Sequence, residues 1–173
     1  MYKEIGVYEY SNKVLEHMKP GVFLTTKDKD KINTMTIGWG GIFRLWGTAY
    51  FIVLVRKSRA TFNLIENSNE FTISIPEDNK MNNELMVCGT KSFRDIDKFK
   101  ECNITALKGR TIATPVIKEA KIHYECKITY KQELAKSNIF PEVKESYYKS
   151  EALHTVYFGK IVDHYILEEK NNG

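Results

Sequence analysis

Proline is scarce in this chain. It occurs at Pro20, Pro76, Pro115 and Pro141, never in a run that would read as an interdomain linker. Cysteine is scarcer: Cys88, Cys102 and Cys126 are odd in number, widely spaced and without a CxxC pair, which excludes zinc-ribbon and thioredoxin-type motifs. Reduced thiols in a reducing compartment are therefore expected. The longest apolar run, Ala49–Val55, is far shorter than a bilayer-spanning helix needs. Met1–Tyr10 lacks the apolar stretch of a secretory signal, so the expectation is a cytoplasmic protein with no membrane partner. Repeats and low-complexity stretches are missing too, and residues 1–173 read as one domain. The net charge is only +4, with Lys and Arg mixed among Asp and Glu. Nucleic-acid domains concentrate a stronger basic excess on one face, so no nucleic-acid partner is expected, although the excess suits a small anionic ligand.

What is abundant is aromatic. Ten Tyr and nine Phe favour strands over helices. Six strand segments stand out: Gly21–Thr26, Ile32–Trp39, Gly47–Arg56, Glu70–Ile75, Ala120–Leu134 and Ala152–Leu167. In the fifth, Ile122, Tyr124, Cys126, Ile128 and Tyr130 alternate with Lys121, His123, Glu125, Lys127 and Lys131, which predicts one buried face and one wet face. Gly159 in the last marks a bulge or a close backbone approach. Short helices are expected over Ser11–Met18, from a Ser58 N-cap to Asn67, over Met81–Val87 and over Arg94–Lys100. A regular βαβ alternation is absent, so the pattern predicts a small antiparallel Greek-key barrel with inserted helices.

Three clusters carry candidate chemistry, each with a plainer explanation beside it. Arg56, Lys57, Ser58, Arg59 and Thr61 crowd the junction of a strand and a helix. Cations there oppose the helix dipole unless an anion sits among them, and the unpaired N–H groups of a helix start bind phosphate. The plainer reading is an ordinary Ser58 cap with solvated cations. Asn33–Gly41 combines small residues with Trp39, suiting a flat ligand or a glycine-rich turn with a core Trp. Cys88–Phe99 is a polar loop entering a helix that Ser92 or Asp95 can cap, with Lys98 able to reach an anion or simply a surface salt bridge. Cys88 has no defined His partner and reads as a buried, inert thiol. His17, His123, His154 and His164 lack metal-ligand spacing, so no metal site is expected. His123 and His164 read as strand-surface residues, and His154 either lines a pocket or stands half exposed.

Taken in order, the motifs N-x-M-T-x-G-W-G (33–40), V-R-x-S-R-x-T (55–61), E-F-T-I-S-I-P (70–76), C-G-T-K-S-x-R-D-x-D-K-F (88–99), H-Y-E-C-K-I-x-Y-K-Q (123–132) and H-x-x-Y-F-G (154–159) resemble the flavin reductase-like, flavoredoxin-type family of FMN-binding split barrels. The resemblance runs from about Met18 to Val162. It implies a mainly β fold, a six-stranded antiparallel Greek-key split barrel with a few short peripheral helices. It also implies a homodimer with FMN near the subunit interface. By position, Asn33, Met35, Thr36 and Trp39 would lie against the isoalloxazine ring or ribityl chain. Arg56, Ser58, Arg59 and Thr61 would hold the phosphate. Cys88, Gly89, Ser92 and Lys98 would border the ring, and His154 and Phe158 would complete the pocket, from this chain or its partner.

Phe93 stands where the family has a glycine, and Ala60 where it tends to have an aromatic; both departures bear on access to the pocket. The implied activity is that of an NAD(P)H:flavin reductase, in which a reduced nicotinamide passes a hydride to the flavin and no residue need act as acid or base. No catalytic residue is assigned. The alternatives are an FMN-carrying electron-transfer protein that serves a redox partner without using nicotinamide, and a barrel binding another anion, for which Tyr147-Tyr148 beside Lys149 is the one hint of a nucleic-acid face.

Overall fold

The β-branched and aromatic segments form the expected strands, and four short ones are added, of which one begins at a glycine pair. A computed structural model describes residues 1–78, 80–149 and 152–168. In chain order these hold β1 (Tyr2–Glu4), α1 (Ser11–His17), β2 (Val22–Asp28), β3 (Lys31–Ile37), β4 (Gly40–Leu45), β5 (Thr48–Arg56), α2 (Ala60–Ser68), β6 (Glu70–Ile75), α3 (Asn82–Thr90), α4 (Lys98–Glu101), β7 (Ala106–Leu107), β8 (Val116–Ile117), β9 (Ile122–Glu133), α5 (Pro141–Tyr147) and β10 (His154–Leu167).

The main sheet is antiparallel throughout and ordered β3-β2-β6-β9-β10-β5-β4, with β1 also paired to β10. The β9–β10 hairpin lies between β5 and β6, so α2 carries the chain over it, a Greek-key-type crossing. The sheet also curls: β3, at one edge, and β5, beside the other, line a common cavity. The expectation of six strands thus becomes eight in this sheet. The added β4 pairs with β5 through the two-residue turn Trp46-Gly47, whose φ angles of 46° and 78° are those of a type I′ hairpin. Trp is an unusual first residue for that turn, which explains why the hairpin was not evident from the sequence.

The core occupies both faces of β2 and β6. Leu24, Phe51, Phe71, Ile73, Tyr124 and Tyr157 fill one side, while Phe23 packs on the other with Leu85, Cys88, Ile104 and Ile117. The bulge expected near Gly159 is present between Phe158 and Gly159. A Cβ at Gly159 would lie 2.5 Å from the Phe71 ring, so the barrel wall leaves no room for any larger residue.

Three expectations need correction. Ser58 does not cap α2: the helix starts at Ala60 with Arg59 in the cap position and no side-chain cap bond. The segment Cys88–Thr90 is helical rather than loop, and the following helix is capped by Asp97, which accepts from the Phe99 and Lys100 N–H groups, rather than by Ser92 or Asp95. The second face of β9 is not wet along its first half, and His123 and Glu125 are fully buried. The segment 104–117 folds over that face and donates to Glu125, cover that strand alternation does not reveal.

His123 accordingly is not a surface residue. Its Nδ1 lies 3.1 Å from Ser74 Oγ and its Nε2 3.1 Å from Ala120 O. Burial pushes its pKa from the ordinary 6.5 down to about 4. The folded state therefore keeps His123 neutral while the unfolded chain protonates it near pH 6.5, so the unfolded state binds more protons in that window. Stability is expected to be full above pH 6.5 and to fall as the pH drops from about 6.5 to 4, by up to about 3 kcal/mol from this residue. Denaturant midpoints measured across that range check this: His123→Gln should flatten the slope, and an unchanged slope contradicts the assignment.

Candidate functional site

The cleft forms where the curled sheet brings β3 opposite the end of β5, with α2, α3 and the start of β10 around it. Two cavities of about 110 and 160 Å³ open there. Met35 and Arg59 line both, so the two are halves of one cleft. Arg59, Lys91, Arg94 and Lys98 line the first half, Arg56 joins Arg59 in the second, and among the described residues no acidic one lines either.

The first half is built around the start of α2. In its first turn the Phe62 N–H donates to Arg59 O at 3.0 Å, while those of Ala60 and Thr61 precede the first intrahelical acceptor, and neither an acid nor a side-chain cap sits there. Arg59 reaches across to Gly89 O at 3.3 Å, and Arg94 Nη1 donates to Ser58 O at 3.4 Å. Asn33 Nδ2 donates to Thr61 Oγ1 at 2.7 Å, fixing the amide, while Asn33 Oδ1 is buried without a partner. Ser92 Oγ accepts from the Arg94 N–H and shapes the loop that presents the guanidinium.

Lys98 forms the floor. It is only 4% exposed and donates to Thr34 O at 2.9 Å and Cys88 O at 2.7 Å, so its ammonium ties β3 to α3. One of its three donors remains for a ligand. Desolvation lowers its pKa from the ordinary lysine value. Cys88 beside it is buried, and burial pushes its thiol up to about 12, so only a trace of it is thiolate at neutral pH. Gly89 packs against Thr36, whose hydroxyl donates to Leu85 O; a Cβ at Gly89 would lie 3.2 Å from Thr36 Cβ.

The second half is aromatic. Trp39 is 38% exposed and lies 4.8 Å from the His154 ring, 5.3 Å from Tyr147 and 6.5 Å from Tyr148. His154 Nδ1 sits 2.9 Å from the Tyr148 hydroxyl. Burial, then the charges of Arg56 and Arg59, push its pKa down to about 4, so the ring is neutral at pH 7. Arg56 Nη2 donates to Tyr147 O at 2.7 Å and its guanidinium lies 5.3 Å from the Tyr148 ring centre.

Of the residues that the resemblance assigns to the flavin, Phe158 alone lies apart. It packs with Trp46 and Tyr130 and lines neither cavity. Arg94, which the resemblance does not assign to the flavin, also lines the first half, and its place in a polar loop one residue after Phe93 is a usable signal. Tyr147 and Tyr148, read as a hint of a nucleic-acid face, turn onto Trp39 and Arg56 instead. Phe93 and Ala60, the two departures from the family pattern, both line the first half.

A family model described as a flavin reductase like domain matches residues 15–173. The chain belongs to the flavin reductase-like domain family. An uncharacterised protein of Pyrococcus abyssi is 30% identical to it over 124 residues, covering 71% of this chain and 70% of that protein. Among solved structures, flavoredoxin of Desulfovibrio vulgaris (Miyazaki F) superposes with a TM-score of 0.67 at 24% identity, over 86% of this chain and 70% of the other. An FMN-binding domain of a flavin reductases-like enzyme from Shewanella baltica gives 0.69 at 16% identity, over 96% and 77%. At these identities the likeness is one of fold. Among the described residues of this flavin reductase-like domain, no helix is long and apolar enough to cross a membrane.

Proposed function

We propose that this chain binds FMN in the cleft and acts as an oxidoreductase of the NAD(P)H:flavin reductase type. The observation that carries the reading is electrostatic. A chain with 26 basic and 22 acidic residues overall sets five cations and, among the described residues, no acid around one cleft, beside a helix start without a side-chain cap. That arrangement is destabilised by its own repulsion and relieved by a bound anion.

The residues fit the cofactor in parts. The N–H groups at the start of α2, with Arg59, Arg94, Ser58 and Thr61, suit a phosphate. Asn33 Oδ1, buried and unpartnered, suits a hydroxyl or ring N–H donor, and the spare Lys98 donor suits a ring carbonyl. Met35 and Trp39 supply flat apolar walls. Bound FMN supplies the hydride acceptor and the relay of electrons onward. The chain's own part is to hold, orient and shield; His154, neutral and fixed by Tyr148, adds a polar edge without adding charge. Neither cavity alone reaches the roughly 300–1,000 Å³ of a pocket that engulfs a drug-sized ligand. The proposal therefore includes a homodimer in which a second copy closes the open side. Electrons would leave to free flavin, oxygen or a redox partner protein.

A second reading has its own observation. Phe93 lines the cleft and Tyr147 stands edge-on to Trp39, which narrows the approach for a nicotinamide. This favours an FMN-carrying electron-transfer protein. Anaerobic addition of NADH or NADPH to the FMN-loaded protein separates the two. Loss of the yellow flavin absorbance on a timescale of seconds supports the reductase. Unchanged absorbance with both nucleotides, alongside bleaching by dithionite, supports the carrier.

A further inference from the structure

Two sulfurs meet at the base of the cleft. Cys88, in the last turn of α3, and Cys102, at the C-terminal cap of α4, place their Sγ atoms 4.0 Å apart. The third cysteine, Cys126, is fully buried within the other core cluster. The two sulfurs enclose the segment that carries Gly89, Ser92, Arg94 and Lys98, four of the groups that line the cleft. Cys88 is buried and Cys102 is partly exposed, so Cys102 is the more open of the two to a small reagent.

We propose that Cys88 and Cys102 form a redox-active dithiol, closed to a disulfide by small-molecule disulfides, which locks the cleft segment between α3 and α4. The step has a defined order. Cys102, as thiolate, attacks one sulfur of glutathione disulfide, forming a mixed disulfide and releasing one glutathione, which takes up the proton Cys102 gave up. Cys88, as thiolate, then attacks Cys102 Sγ. The intramolecular S–S bond forms, the bond to glutathione breaks, and the second glutathione leaves with the proton from Cys88. The cysteine pair loses two electrons and the glutathione disulfide gains them. The sulfurs must approach by roughly 2 Å to reach the bonded distance of about 2.05 Å. Cys88 is a buried member of the smaller core cluster and Cys102 packs against it from the partly buried side, where rotation of the Cys102 side chain would supply most of that motion.

The groups around the pair make the reaction slow rather than absent at neutral pH. Burial raises both thiols, and Glu84 of α3 and Glu101 of α4 add to the effect on Cys102, while Lys98 opposes it at both. The rate should therefore climb with pH, approaching tenfold per unit while the thiolate remains the minor form. The inference does not depend on FMN, and its test needs none.

The experiment is to incubate the native full chain with glutathione disulfide at pH 8.5 and count thiols after denaturation. The expected result is loss of two of the three thiols, with a mass lower by two hydrogens and a crosslinked peptide joining Cys88 to Cys102. The oxidised protein should melt about 5–10 °C higher, as expected for closing a loop of this length, and dithiothreitol should reverse both changes. Cys88→Ala should instead stop at a single glutathione adduct on Cys102. Three surviving thiols in the wild type, or the same single adduct there as in Cys88→Ala, overturns the proposal.

Discussion

Arg59→Ala is expected to weaken FMN binding by roughly 30- to 1,000-fold while leaving the melting temperature unchanged. Arg59 occupies the cap position of α2 and lines both halves of the cleft. Among the described residues its guanidinium makes one hydrogen bond, to Gly89 O at 3.3 Å, so most of its donors are available. Charge-assisted bonds to phosphate contribute about 1.5–3 kcal/mol each, and a guanidinium can make two in parallel. A loss of about 2–4 kcal/mol corresponds to the stated range. The side chain is exposed, so folding should not notice its removal. Arg59→Lys should fall between, because an ammonium keeps the charge and loses the fork. Arg56→Ala should cost less than Arg59→Ala, since Arg56 already holds Tyr147 O and the Tyr148 ring. Equilibrium titration of FMN against the three variants checks the order; Arg59→Ala with wild-type affinity would remove the phosphate assignment.

The second large effect concerns stability. Glu125→Ala is expected to cost about 3–5 kcal/mol and to lower the melting temperature by roughly 6–20 °C. Glu125 is fully buried, and its two oxygens accept from the N–H groups of Arg110, Thr111 and Ile112 and from the hydroxyls of Thr111 and Tyr165. Burial alone would raise its pKa; the bonds from Arg110, Thr111 and Tyr165 overcome this and hold it below the ordinary value. Removing the carboxylate leaves the Ile112 N–H and the Tyr165 hydroxyl buried without their acceptor and those of Arg110 and Thr111 half-buried. Glu125→Gln should be milder but still destabilising, because the amide turns a donor toward backbone N–H groups. Hydrogen exchange should show Thr111 and Ile112 opening first. Protection at those amides as strong in Glu125→Ala as in the wild type would contradict the latch.

Much of the architecture was legible because each main strand carries its own period or apolar run. Gly47–Arg56 and Ala152–Leu167 sit close to where the structure has β5 and β10. The misreadings share a cause: tertiary cover that local pattern does not encode. Glu125 and His123 look solvent-facing by alternation and are buried only because a segment ahead of them in sequence folds back over β9. The hairpin at Trp46-Gly47 hides behind glycines and an atypical turn residue. Ser58 looked like a cap by type, yet the chain uses Arg59 there and leaves the helix start open. In the site, motif order located the basic half. The aromatic half needed Tyr147 and Tyr148, which reach Trp39 from more than a hundred residues away.

The central claim is that the basic cleft at the start of α2 holds the phosphate of FMN. Parallel titrations of the wild-type chain with FMN and with riboflavin, followed by quenching of flavin fluorescence, test it most directly. The two ligands share the ring and ribityl chain and differ only in the phosphate. The account predicts saturable FMN binding at one per chain and riboflavin weaker by at least about 30-fold, a gap of about 2 kcal/mol that shrinks as salt is added. Equal affinity for the two flavins, or binding of neither, would contradict it.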